Sequence, residues 1–450
     1  MGKNIDLTKG NIWKSILIFA VPIFISNIFQ QFYNTMDTLI VGNYLGDASL
    51  AAIGAAGAIY ELLVGFSMGV GNGFSLVVAR SFGAKDEEQL KQAVAGSLVI
   101  GTGMTLSIMI LSWFGLYSLL KLLSTPSDII ERTYSYIILI SLFVGVMFAY
   151  NLLSSFLRAI GNSLMPLIFL IISSMINVGL DLLFLIKFHM GVQGTAVATI
   201  IAQGISAILC LIYIIKKAPI LLPRKRHFKI DKALYIELAG QGFSMGFMMA
   251  IVCTGTIILQ KAINGFGYLI IAGHTTARKI NSFCMMPCST LSLAISTFVS
   301  QNKGAGQLDR IKKGVRAGIL LSIVWGIVAA ILLYLFSENL VSLVSGSEEA
   351  EVLKNASWYL QVNSVFYGIL LILRNALQGI GKKLIPLVSS IIELIGKIVF
   401  VIVCIPHMGY FGVILCEPVI WCLMCAQLLY AFYGDSYIRG KEETKILINE

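Results

Sequence analysis

The sequence predicts an all-α integral membrane protein, with twelve transmembrane helices in two six-helix lobes that form a parallel internal repeat around a central cavity. Three observations carry this reading. Of the 450 residues, 57% are hydrophobic and only 12% charged, and the mean hydropathy is +0.85. A soluble domain holds roughly 25% charged residues, about twice as many. Apolar runs of about 18 residues or more recur from end to end, each long enough to cross a hydrocarbon core of about 30 Å. Finally, the second half of the chain repeats the first. No water reaches the bilayer core to satisfy the backbone, so the spans are helices. The period-two alternation of an outer-membrane barrel is absent.

The spans run roughly over 14–40, 48–79, 92–118, 128–156, 164–187, 192–216, 234–260, 269–300, 314–336, 349–373, 384–405 and 409–433. Alternate loops differ sharply in Lys and Arg: 25 fall on the side holding the N-terminus, the 216–232 linker and the C-terminal tail, and 5 on the other. Basic loops stay inside, so both termini are expected in the cytoplasm and the protein in the cytoplasmic (inner) membrane. The first apolar run lacks the short h-region and small-residue cleavage site of a signal peptide and is read as a retained span.

The basic linker around Pro219 and Pro223 separates the halves. The expected organisation is an N-terminal lobe (1–218), a cytoplasmic linker (219–233), a C-terminal lobe (234–435) and a cytoplasmic tail (436–450). Phe156–Pro166 (FLRAIGNSLMP) matches Ala376–Pro386 (ALQGIGKKLIP), and Phe188–Gly194 (FHMGVQG) matches Pro406–Gly412 (PHMGYFG). Arg80–Val94 likewise matches Gln301–Val315, and Gly46 aligns with Gly267. Six spans per half leave both copies pointing the same way, an arrangement used by transporters.

Several functions are excluded. The net charge of +10 is spread over connecting loops, which does not point to nucleic acid. The eight Cys residues all fall in apolar runs, including Cys422-x-x-Cys425, so disulfide and zinc roles are not expected. No Walker A loop, zinc-protease or nucleophile-elbow motif and no dinucleotide fingerprint is present. The expectation is a protein that is no enzyme and carries no cofactor, driven by an ion gradient or by its substrate's own gradient.

The polar residues inside the spans point to a site. Asn177 and Asp181 lie four residues apart in an apolar run, stacked on one helix face. An Asp at mid-membrane costs about 3 kcal/mol on insertion scales, and such a residue usually faces a wet cavity or a partner. Asp37 sits similarly in the first span. In repeat register Asp37 falls opposite Ile258, and Asn177 and Asp181 fall opposite Lys397 and Val401. Scaffolding would recur in both copies; an acidic cluster in one copy points to a task. The alternative is an acid that only hydrogen-bonds a neighbouring helix.

Gln30, Asn34, Asn151 and Thr199 offer further oxygens in the same half. Two carboxylates sharing a poorly solvated pocket favour holding a proton between them. The same oxygens at Asp37, Asn177, Asp181 and Thr199 also suit Na⁺, a hard cation. Glu61, Glu417 and Arg278 are candidates for lining a substrate cavity, with Gln30 and Asn34. Glu393 and Lys397, four apart, read as an intrahelical ion pair. Pro22 removes a backbone hydrogen bond from the first helix. Gly65-x-x-x-Gly69 with Gly71 and Gly73 predicts close helix approach in the second.

In order along the chain, Tyr33–Gly42 (YNTMDTLIVG), Leu45–Gly54 (LGDASLAAIG), Phe82–Asp86 (FGAKD), Ile160–Pro166 (IGNSLMP), Asn177–Asp181 (NVGLD), Gly194–Thr199 (GTAVAT) and Cys416–Pro418 (CEP) resemble the multidrug and toxic compound extrusion (MATE) family. The resemblance spans nearly the whole chain. It implies two six-helix lobes in a V and exchange of cationic or amphipathic drugs for H⁺ or Na⁺ by a monomer in contact with membrane lipids. In the DNA-damage-inducible-like branch the coupling cation sits in the N-terminal lobe. On this chain that implies Asp37, Asn177, Asp181 and Thr199, with Asn151 lining the site. Many relatives have Pro directly after the second Asp, whereas Leu182 stands here. Some also use acids of the C-terminal lobe; here the nearest are Glu393 and Glu417, with Lys397 beside the first. The competing function is a lipid-linked oligosaccharide flippase of the same architecture. Such proteins usually carry several basic residues in the cavity.

Overall fold

The computed structural model describes residues 5–123, 125–346, 349–362 and 365–440. Residues 441–450 of the expected tail lie outside the described residues. The chain is helical throughout its described part and divides into two compact units.

The first unit contains residues 21–250. It is built from most of α1 (Ile12–Leu45), then α2 (Asp47–Gly83), α3 (Glu87–Leu122), α4 (Ile130–Leu142), α5 (Val144–Ala159), α6 (Leu164–Leu182), α7 (Val192–Lys217) and the start of α8 (Lys232–Ile263). The second contains residues 7–20 and the described residues from 251 to 440. It holds the start of α1, the rest of α8, α9 (Tyr268–Gly304), α10 (Leu308–Ser345), α11 (Ala350–Gln361), α12 (Phe366–Gly379), α13 (Leu384–Val399), α14 (Ile405–Met408) and α15 (Tyr410–Gly434). Two helices, α1 and α8, therefore contribute to both units, whereas the sequence boundary at 218–234 assigns each to one lobe.

Ten helical segments among the described residues are long and apolar enough to span a bilayer, and α4–α5 and α11–α12 complete twelve if each pair is one span. The sequence reading drew 128–156 and 349–373 as single spans. The structure bends them by 49° and 50° at equivalent places in the repeat. A second shared irregularity follows α6 and α13, which run on into π-helical turns at Leu183–Lys187 and Phe400–Cys404. With Leu182 in place of a proline, α6 keeps its α-helical geometry through Asp181 and loosens only afterwards.

Backbone conformation repeats with the sequence. Gly46 and Gly267 (φ +74° and +92°), Gly161 and Gly381 (+87° and +85°) and Gly191 and Gly409 (+62° and +61°) form matched pairs. Gly161 has no room for a side chain, because a Cβ there would lie 2.1 Å from the Ile5 carbonyl oxygen. Gly306 (+67°) pairs with Lys85, which holds φ +58° without a glycine's freedom. The loop that holds Lys85 joins α2 to α3 directly, and Asp86 caps α3 by accepting from the Gln89 N–H at 2.9 Å.

Packing within the first unit follows the predicted glycine stripe. A Cβ on Gly69 would lie 2.6 Å from the Met245 carbonyl oxygen, and one on Gly73 2.6 Å from that of Gln241. Four-residue spacing thus presents a smooth face along which α2 meets α8 nearly backbone to backbone. Phe74, Phe156 and Leu238 fill the core beside it. Arg80 and Glu237 form an ion pair where the same two helices emerge from the apolar region. Arg374, one residue past the 349–373 span read from the sequence, lies inside α12 and is buried.

Candidate functional site

Helix α1 places Tyr33, Asn34 and Asp37 on one cavity of about 250 Å³ in the first unit; α2 contributes Tyr60 and Glu61, α4 Tyr136, and α7 Thr195 and Thr199. Tyr33 and Asp37, one turn apart, share a helical face. The Tyr33 and Thr199 hydroxyls are hydrogen-bonded at 3.2 Å, tying α1 to α7. Tyr60 and Tyr136 lie within electrostatic reach of Asp37, and Tyr136 also of Asp181.

Asp37 and Asp181 meet from α1 and α6 with their carboxyls within hydrogen-bonding reach of one another. Asp181 and Asn177 are both 0% exposed. Asp37 Oδ1, both Asp181 oxygens and both polar atoms of the Asn177 amide have no hydrogen-bond partner among the described residues. Two ionised carboxylates are acceptors only and cannot satisfy each other. A buried charge left unpaired costs several kcal/mol. A proton or a cation held between the two acids would satisfy both.

The predicted residues distribute unevenly. Asp37, Thr199, Asn34 and Glu61 line the cavity; Asp181 adjoins it through Asp37, and Asn177 lies one turn from Asp181. Asn151 does not line it: its amide donates to the Met147 carbonyl of its own helix at 2.9 Å. Gln30 lies four residues from Asn34, outside the lining. Sequence reasoning missed Tyr33, Tyr60 and Tyr136. Their signal was weak, since tyrosines in apolar spans more often pack or face lipid.

Arg278 and Glu417 belong to the second unit, in a buried charge network rather than on this cavity. Lys397 Nζ donates to Glu393 at 3.0 Å and stands 3.8 Å from Glu417. Arg374 approaches Glu393 at 3.6 Å, and the Tyr359 hydroxyl donates to Glu417 at 2.8 Å. Arg278 and His274 lie within electrostatic reach of Glu417. The Glu393–Lys397 pair read from the sequence is present, as one link of a longer chain.

The MatE family profile matches residues 22–183 and 245–403, well over half of the chain. The chain belongs to the MATE family. It is 28% identical over 98% of its length to the probable multidrug resistance protein YoeA of Bacillus subtilis, covering 97% of that protein. The multidrug export protein MepA of Staphylococcus saprophyticus is 21% identical, with 94% of this chain and 92% of that one covered. Among solved structures, MATE in the bent conformation superposes with a TM-score of 0.88 at 20% identity, over 98% of this chain and 99% of that one. An outward-facing multidrug resistance MATE family transporter of the MOP superfamily gives 0.87 at 19% identity, over 97% and 98%. The shared architecture is that of twelve helices in two lobes, and this MATE chain is a multi-pass membrane protein.

Proposed function

We propose that the protein is a secondary antiporter of the cytoplasmic membrane, with both termini in the cytoplasm, that exports cationic or amphipathic organic compounds in exchange for H⁺ or Na⁺. The observation that carries this reading is the Asp37–Asp181 pair, two carboxyls brought together in an apolar unit with no donor for either Asp181 oxygen among the described residues. One shared proton supplies the missing donor. Na⁺ supplies the missing charge, and Asn177 Oδ1 and the Thr199 hydroxyl are the neutral oxygens at hand.

A cation between Asp37 and Asp181 ties α1 to α6, and its departure leaves two facing charges that push them apart. Ion occupancy then biases α1, the helix that Pro22 already interrupts by removing one backbone donor. Glu61 on the cavity wall adds negative potential that favours cationic guests. Relatives named as multidrug resistance and multidrug export proteins support the same direction of transport and breadth of substrate.

The test is uptake of an ethidium-type cation into inside-out vesicles under imposed pH and Na⁺ gradients, applied separately. One gradient should drive uptake by the native protein. Asp181→Asn should abolish it while the protein remains inserted and folded. Unchanged gradient-driven uptake in both Asp37→Asn and Asp181→Asn would overturn the assignment.

A further inference from the structure

The repeat places specific residues of the second unit where the first unit's site stands. The Phe156–Pro166 and Ala376–Pro386 match sets Lys397 at the position of Asn177. The Phe188–Gly194 and Pro406–Gly412 match sets Glu417 at the position of Thr199, and the Gly46–Gly267 match sets Gly255 at that of Asn34. These three replacements act together. A Cβ on Gly255 would lie 3.0 Å from Lys397 Cδ, so glycine leaves the room in which the lysine stem lies. The stem delivers an ammonium, 2% exposed, to Glu393 at 3.0 Å and Glu417 at 3.8 Å.

We infer that Lys397 is a built-in cation, occupying in repeat register the place where the first unit takes up its mobile one, so that coupling ions pass through the first unit alone. The inference rests on the coupling role proposed for Asp37 and Asp181. Its physical basis is charge accounting in a poorly solvated site. The first unit brings together two carboxyls with no fixed cation between them, whereas Ile258 and Val401 stand at their repeat positions. In the second unit Glu393 and Glu417 stand against two ion-paired cations, Lys397 and Arg374, with the Tyr359 hydroxyl donating to Glu417 and Arg278 within its electrostatic reach. A mobile cation entering that cluster meets two acids that each already have a fixed cation. A tethered ammonium cannot dissociate, so the second unit keeps one electrostatic state through the cycle while the first alternates between two.

The experiment measures the coupling number, ions exchanged per tetraphenylphosphonium, from the reversal potential in proteoliposomes of the full chain. Glu417→Gln should keep the native number whatever it does to the rate, because no mobile ion resides there. Lys397→Met should raise it by one, since Glu417 loses its ion-pair partner while Arg374 stays with Glu393, and Lys397→Met/Glu417→Gln should restore it. A lowered number in Glu417→Gln, or an unchanged one in a transporting Lys397→Met, overturns the inference. Should Lys397→Met not transport, Lys397→Ala with added propylammonium decides. Rescue at the native coupling number by the amine but not by propanol supports a built-in cation, and no rescue overturns it. Failure of the coupling-site reading looks different, because Asp181→Asn would then leave the native number intact with Lys397 in place.

Discussion

The hydroxyls of Tyr33 and Thr199 meet at 3.2 Å across α1 and α7, beside the carboxyl of Asp37. This contact holds the Asp37 turn of α1 against the wall that carries Thr199, so it should set how well the site is formed before an ion arrives. A typical hydrogen bond contributes about 1 kcal/mol. Tyr33→Phe should therefore raise the half-saturating concentration of the coupling ion several-fold, roughly five-fold for that energy, with little change in maximal rate. Ion titration of ethidium efflux in proteoliposomes checks it.

Neutralising either acid should separate binding from coupling. Asp37→Asn and Asp181→Asn each remove the charge that makes a cation necessary, while the amide supplies a donor to the remaining carboxylate. Both variants should insert normally and give monodisperse protein in detergent. Their gradient-driven efflux should fall to background, and any remaining flux should no longer respond to the ion gradient that drives the native protein.

The α2–α8 interface makes a prediction about stability. Gly73→Ala places a methyl 2.6 Å from the Gln241 carbonyl oxygen, and the backbone behind that oxygen cannot swing aside as a side chain would. Overpacking of this kind costs about 1–3 kcal/mol. Gly103→Ala, with nothing within 4 Å of its added Cβ, should be neutral or slightly stabilising. Thermal unfolding of the two purified variants in the same detergent distinguishes them.

Lys85 holds a left-handed backbone at φ +58°, a conformation that costs a non-glycine residue about 1–2 kcal/mol, and its repeat partner Gly306 adopts φ +67°. Lys85→Gly should stabilise the loop after α2 by some tenths of a kcal/mol up to about 1 kcal/mol once the added freedom of the unfolded glycine is subtracted. A small rise in Tm with unchanged transport is the expected result.

What could be read in one dimension depended on how rare the signal was. An aspartate in an apolar span is costly, so Asp37 and Asp181 stood out unaided, and the structure brings them together. Asn177 was legible because it lies one turn from Asp181 on the same helix. Asn151 was read as part of the group, yet it lies outside the cavity lining and its amide nitrogen donates to Met147 on its own helix. An intrahelical bond of that kind competes with any polar side chain and leaves no trace in the sequence. The bend at Phe143 was equally hidden, since that residue is neither proline nor glycine. Tyr33, Tyr60 and Tyr136 were hidden among 17 tyrosines until the folded chain set three of them around one cavity.

By itself the sequence determined the solvent and the plan: apolar runs long enough to cross a bilayer force helices, and a doubled pattern forces two similar six-span halves. These follow from local composition and spacing, because the backbone in lipid has no other way to satisfy its polar groups. Tertiary structure alone decided which charges acquire partners. Lys397 reaches Glu417 as well as its helical neighbour Glu393, whereas Asp181 reaches Asp37 and no ion-pairing cation among the described residues, since side chains far apart in sequence can balance one another only where packing brings them within a few ångströms.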